Sequence, residues 1–284
     1  MAKFSPITAS IQFPVPTYLR DHRLTSQVVL PAVVALRILA DTARTYLPHT
    51  DIRQMQDIAL SRLLPIYPND TSLSLFIEIR ATEDNHITTA LLTRFTSKSG
   101  SITRMKEHVS VTFTEQPDKS PNDNTYSGNP PAIDPAGFAV SADRLYRELV
   151  PFGPGFQSLT GDIHLSPQGA TGIAATPTST KISAGPLGSP FPLDGAFHAA
   201  CAWGQRYAQT VAYPIAISRR TIFRPTVPGD PYLIQTIPIN TTAAGLSFDI
   251  RIEALSGKTH EIIRGVRMRP IVGLSNHPPD WIVV

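Results

Sequence analysis

The sequence predicts an α+β protein of two halves, in each of which a sheet wraps a central helix. Three observations carry this. Residues 32–46 hold neither Gly nor Pro and run apolar almost all round at their start, and residues 195–209, rich in small side chains, repeat the character later in the chain. A helix apolar on most faces is buried rather than laid on a surface. Between and after these segments come runs with the two-residue period of half-buried strands, while 27 prolines scattered over 284 residues disfavour long helices and suit strands joined by turns.

Taken in order, the first helix follows Pro31, a residue tolerated where a helix begins. In residues 72–80, Leu73, Leu75, Ile77 and Ile79 alternate with mostly polar neighbours. Further strands are expected over 87–95 and 108–113. Residues 116–141, rich in Pro, Asn, Asp, Ser and Gly without a hydrophobic period, read as a linker. This divides the chain into a first half, 1–115, and a second half, 142–284. The second helix, 195–209, carries one interior glycine, Gly204. Strands are expected over 232–239, over 246–255, where Leu246, Phe248, Ile250, Ile252 and Ala254 share a face, and over 261–269.

Composition excludes several classes. Charged residues make up 17% and apolar ones 42%, enough for a sizeable core and too little charge for a disordered chain. A net charge of +3 does not point to nucleic acid. The lone Cys201 rules out an internal disulfide and Cys-x-x-Cys zinc frameworks. No apolar run is long enough to span a membrane, and residues 1–12 lack the charged start and apolar block of an export signal, so a cytoplasmic location is expected. Gly-rich phosphate loops, dinucleotide fingerprints and Gly-x-Ser-x-Gly elbows are absent, and no histidine spacing suggests a metal.

Two segments stand out for chemistry. In the first, His22 stands nine residues before Pro31. In the second, Ser189-Pro190-Phe191-Pro192-Leu193-Asp194-Gly195-Ala196-Phe197-His198, an aspartate opens the second helix and a histidine follows at i+4, on the same face. Each residue also has a plain structural reading: His22 as a loop histidine, Asp194 as a helix N-cap, His198 as a core histidine. Phe152-Gly153-Pro154-Gly155-Phe156 reads by itself as a Gly-Pro turn with packed aromatics. Arg219, Arg220 and Arg224 form a basic cluster, either a solvated strand edge or a docking patch for an acidic partner.

Together these segments resemble the dehydratase domains of modular polyketide synthases and, more distantly, product-template domains. The family's first half carries His-x-x-x-Gly-x-x-x-x-Pro; His22 and Pro31 match, with Ser26 at the glycine. Its second half carries His-Pro-x-x-Leu-Asp-x-x-x-Gln/His; Pro190, Leu193, Asp194 and His198 match, with Ser189 at the first histidine. Its Tyr-Gly-Pro-x-Phe is similar to Phe152–Phe156, without the phenol. Lys106-Glu107-His108-Val109 and Gly265-Val266-Arg267-Met268-Arg269 resemble the strands that close the two halves. The resemblance runs from about Pro14 to Pro270.

The resemblance implies a double hot-dog fold with His22 and Asp194 facing each other across a tunnel between the halves. It implies a dehydratase that converts a 3-hydroxyacyl thioester on an acyl carrier protein into a 2-enoyl thioester, with His22 as base, Asp194 as acid and His198 in support. Pro31, Ala32, Gly153, Pro154, Phe156 and Leu193 are the expected substrate-binding residues. No cofactor is implied beyond the phosphopantetheine that carries the substrate. The partners are the carrier protein, other synthase domains and, from the family alone, a second copy. An enoyl isomerase, a product-template-like cyclase and a non-catalytic acyl binder remain as alternatives. The chemistry suits the residue types. A neutral imidazole can take the α-proton, and an apolar wall, for which Val15, Leu24, Val28 and Leu30 are candidates, keeps it neutral. A carboxyl can give a proton to the hydroxyl only if it enters protonated, which the apolar Phe191, Pro192, Leu193 and Phe197 would favour. The first N–H groups of the helix after Pro31 are placed to meet charge on the thioester oxygen.

Overall fold

The first predicted helix forms over Ala32–Tyr46 (α1), with Val33, Val34, Ala35, Leu36, Ile38, Leu39, Ala40 and Ala43 all buried. The computed structural model describes residues 5–82, 86–97, 103–114, 137–242, 245–271 and 277–283. The second helix begins four residues before its expected start, running over Phe191–Tyr207 (α3), because Pro192 in its first turn needs no N–H donor. Every residue from Phe191 to Gln205 is buried, in keeping with its apolar circumference. Gly204 is a packing feature: a Cβ there would lie 2.6 Å from Leu246 Cδ1.

Strands β1 (Ile7–Pro14), β4 (Asp51–Ala59), β5 (Ser72–Ala81), β6 (His86–Thr96) and β7 (Thr103–Thr114) belong to the first half. The second half contributes β8 (Phe138–Ser141), β9 (Leu159–Ser166), β10 (Gly169–Ala174), β11 (Ala212–Ile222), β12 (Tyr232–Thr242), β13 (Gly245–Ala254) and β14 (Thr259–Pro270). A small hairpin, β2 (Arg23–Leu24) with β3 (Gln27–Val28), stands apart. The alternation read from the sequence holds: Leu73, Leu75, Ile77 and Ile79 are buried on β5, as are Leu246, Phe248, Ile250 and Ile252 on β13.

The large strands form one antiparallel sheet in the order β1-β5-β6-β7-β4-β11-β14-β13-β12-β10-β9-β8. The halves meet edge to edge where β4 pairs with β11, Ile58 opposite Ile217 and Met55 opposite Arg220. α1 packs on β4–β7 and α3 on β9–β13, and the two helices touch each other. The two halves of this one sheet, each wrapped on a buried helix and joined side by side, make the expected double hot-dog. The expected linker mostly lies outside the described residues, at 116–136. Its last residues, Phe138–Ser141, are a strand rather than linker, paired with β9 through Val140 and Ile163. A short helix, α2 (Ala142–Arg144), capped by Ser141 Oγ, then continues as a wider π-turn over Leu145–Leu149. Among the described residues no helix is long and apolar enough to cross a membrane.

Candidate active site

The nine-residue spacing of His22 and Pro31 has a local cause. The β2–β3 hairpin turns the chain back so that Val29 returns beside His22: the Val29 N–H donates to the His22 carbonyl at 3.1 Å. The His22 ring answers with Nδ1, 3.0 Å from the Val29 carbonyl oxygen. A carbonyl only accepts, so Nδ1 carries the proton and Nε2 of the neutral ring is left with its lone pair. The hairpin's left-handed residue is Thr25, at φ 57°, and not Ser26. The absent family glycine at 26 therefore brings no left-handed strain. Pro31 caps α1, and its carbonyl accepts from the Val34 and Ala35 N–H groups at 3.1 and 3.0 Å. The Val34 N–H is thus spent within the helix, and Ala32 and Val33 hold the first-turn N–H groups that have no acceptor within it.

The Phe152–Phe156 turn is brought to His22 by Asp21. The Gly153 N–H donates to the Asp21 carbonyl at 2.9 Å, and the Gly155 N–H to its carboxylate Oδ2 at 2.7 Å. Both glycines are needed for contact. A Cβ on Gly153 would sit 2.4 Å from Asp21 Oδ1, and one on Gly155 2.9 Å from Oδ2. So held, the Phe152 ring stands between two imidazoles, 4.6 Å from that of His22 and 4.9 Å from that of His198, and Phe156 closes on His22 at 5.0 Å. Burial among these rings pushes His22 below the ordinary imidazole value, a shift that an ionised Asp194 would oppose.

Asp194 lies in the first turn of α3, four residues past the Pro190 cap, so it is not the N-cap; its own N–H bonds to the Pro190 carbonyl at 3.1 Å. The buried Ser189, at the family's histidine position, helps start the helix: its Oγ accepts from the Phe191 N–H and contacts Thr176 Oγ1 at 2.9 Å. The i, i+4 spacing sets His198 Nε2 3.1 Å from Asp194 Oδ2. That contact is not aligned as a hydrogen bond, and among the described residues neither atom has another partner. Behind them stands Tyr146, not singled out by any sequence motif. Its hydroxyl lies 3.1 Å from His198 Nδ1 and accepts the Leu159 N–H at 2.8 Å.

One cavity of about 280 Å³ joins these groups across the two halves. His22, Leu24, Val29, Leu30, Ala32 and Ala35 line it from the first half, and Phe152, Asp194, Phe197, His198 and Cys201 from the second. Of the expected wall, Leu24 and Leu30 take part, whereas Val15 and Val28 pack on the core. Of the expected substrate-binding residues only Ala32 lines the cavity. Pro31 caps α1, and Leu193 and Phe156 are wholly buried. Gly153 and Pro154 hold the turn a layer behind Phe152, since Gly153 is spent on Asp21. Arg23, Thr25, Arg62 and Leu63, all exposed, line the cavity where it meets the surface.

The basic cluster is not one surface. β11 is an interior strand, paired on both sides, and Arg220 points inward to a buried ion pair with Glu261 at 2.8 Å. Arg224 donates to the Thr259 carbonyl at 2.8 Å, and Arg219 alone of the three is exposed. A docking patch formed jointly by Arg219, Arg220 and Arg224 is therefore ruled out, since Arg220 is buried.

Comparison with known proteins adds to this geometry. Residues 127–276, just over half of the chain, match the family model described as the polyketide synthase dehydratase N-terminal domain. No curated protein matches the chain. Among solved structures, a trans-AT polyketide synthase dehydratase domain from Brevibacillus brevis is similar at 14% identity and TM-score 0.69, over 94% of each chain. A monomeric dehydratase domain from a trans-AT synthase split module matches at 11% identity and TM-score 0.72, over 94% of this chain and all of the other. The dehydratase domain of the curacin synthase CurF module matches at 15% identity and TM-score 0.70, over 95% of this chain and 98% of that one.

Proposed function

The chain belongs to the polyketide synthase dehydratase family, and from that premise we propose that it removes water from a 3-hydroxyacyl thioester with His22 as base and Asp194 as acid. The supporting observation is that His22 and Asp194, from opposite halves, line one cavity with apolar walls. The Nε2 lone pair of His22 takes the α-proton, the electron pair forms the new double bond, and the C–O bond at the β-carbon breaks as Asp194 gives its proton to the leaving hydroxyl. The products are one 2-enoyl thioester and one water, with no net redox change. Charge that gathers on the thioester oxygen is met by the N–H of Ala32, at the positive end of α1.

The substrate arrives on the phosphopantetheine arm of an acyl carrier protein, threaded through the opening at Arg23 and Arg62. Their positive charge suits the phosphate of the arm and an acidic carrier. The test uses a 3-hydroxyacyl pantetheine thioester and mass spectrometry. Loss of one water by the wild type is expected, with the rate lowered about 10²–10⁴-fold in each of His22→Phe and Asp194→Asn. A rearranged or cyclised product of unchanged mass, or turnover indifferent to both substitutions, overturns the reading.

A further inference from the structure

We propose that Tyr146 is the positioning residue that fixes the tautomer of His198 and so keeps an Nε2–H beside the Asp194 carboxyl. The inference rests on the acid role given to Asp194 above.

It follows from counting protons around one phenol. Tyr146 is 5% exposed, and its oxygen already accepts the Leu159 N–H at 2.8 Å. That N–H can only donate, so the single proton of the hydroxyl must point elsewhere. His198 Nδ1, at 3.1 Å, is the acceptor in reach, with the buried Ser158 hydroxyl beside it. Burial keeps the phenol protonated well above its ordinary range, so the donor persists at working pH. With Nδ1 occupied as an acceptor, the imidazole's own proton sits on Nε2, which faces Asp194 Oδ2 at 3.1 Å.

The two rings meet edge to face at 90°, with centroids 5.6 Å apart, so the phenol also restrains the plane of the imidazole. The relay then runs from the Leu159 N–H through the Tyr146 hydroxyl and His198 to Asp194. As Asp194 gives its proton to the leaving hydroxyl, negative charge appears on the carboxyl, and an Nε2–H already within reach can close the misaligned contact into a hydrogen bond. Tyr146 touches no substrate in this scheme; it acts through His198.

The experiment is nitrogen NMR on the full chain with isotope-labelled histidine at about pH 8, the His198 signals being assigned by loss in His198→Gln. The wild type is expected to carry the His198 proton on Nε2. In Tyr146→Phe that preference should be lost, kcat should fall about 10–100-fold and KM should stay within about twofold, because a support to a catalytic group is removed and no substrate contact is. If Tyr146→Phe does not fold, a ring-fluorinated tyrosine at 146 keeps both packing and hydroxyl, and is expected to retain the Nε2–H tautomer and most of kcat. A wild-type His198 protonated at Nδ1, or a tautomer and kcat unmoved in Tyr146→Phe, overturns the proposal. Loss of the tautomer in Ser158→Ala but not in Tyr146→Phe overturns it in favour of Ser158. A wild type that keeps the tautomer yet dehydrates nothing instead sinks the acid role of Asp194 and leaves the relay standing.

Discussion

Asp21 and Gly155 are 134 positions apart, yet the Gly155 N–H donates to the Asp21 carboxylate at 2.7 Å, so the residue beside the proposed base carries the tether to the other half. Gly153, bonded to the Asp21 carbonyl, leaves a Cβ no room. Gly153→Ala should therefore displace Phe152 from between the imidazoles, costing about 1–3 kcal/mol of stability and most of the activity. Urea unfolding and kcat/KM measured on the same variant check this. Asp21→Ala should lower both in the same direction.

Burial lowers the His22 pKa, and this fixes a sign. The base works when neutral, so the acid limb of kcat/KM should fall below the free imidazole value of about 6.5. Stability should follow the same group. Above about pH 6.5 His22 is neutral both folded and unfolded; below it the unfolded chain binds a proton that the folded chain resists, so stability drains away as pH falls toward the folded value. His108, lowered chiefly by its own burial, adds to the loss in the same window. Urea midpoints between pH 5 and 8, compared with those of His22→Phe, isolate the contribution of His22.

Phe152 supplies much of the apolar wall that His22 feels, at 4.6 Å between centroids. Phe152→Ala should admit water, raise the His22 pKa toward its ordinary value and move the acid limb to higher pH. Phe152→Leu, which keeps apolar bulk, should move it less. An acid limb identical in all three proteins would show that the wall lies elsewhere.

Arg220 and Arg219 are neighbours with opposite fates. Arg220→Ala strands Glu261, whose side chain is 1% exposed, and should cost about 3–5 kcal/mol. Arg219→Ala, on the exposed side of the same strand, should change stability by less than about 0.5 kcal/mol. Denaturant titration of both variants is sufficient.

Much of this molecule was legible in its sequence. α1 and the faces of β5 and β13 follow from periodicity that burial simply obeys. β4 and β11 were not seen because they are interior strands with mixed faces; β11 carries Pro214 and a register shift, and turns Arg220 inward. His22, Asp194 and His198 were found through motif order. Tyr146 and Asp21 were not, since their roles come from bonds to the Leu159 and Gly155 N–H groups, and a tertiary hydrogen bond to backbone leaves no trace in residue type. The same blindness placed Gly153 against a ligand when its close neighbour is Asp21.

The seam between β4 and β11 has a consequence for how the chain can be cut. A polypeptide ending before residue 116 and another beginning after it would each present a bare ladder of peptide groups, Gln54 to Ala59 on one and Ala216 to Thr221 on the other. Such rims are adhesive. The two fragments are expected to precipitate when made singly and to recover a working enzyme when co-expressed, since each is the cover the other lacks.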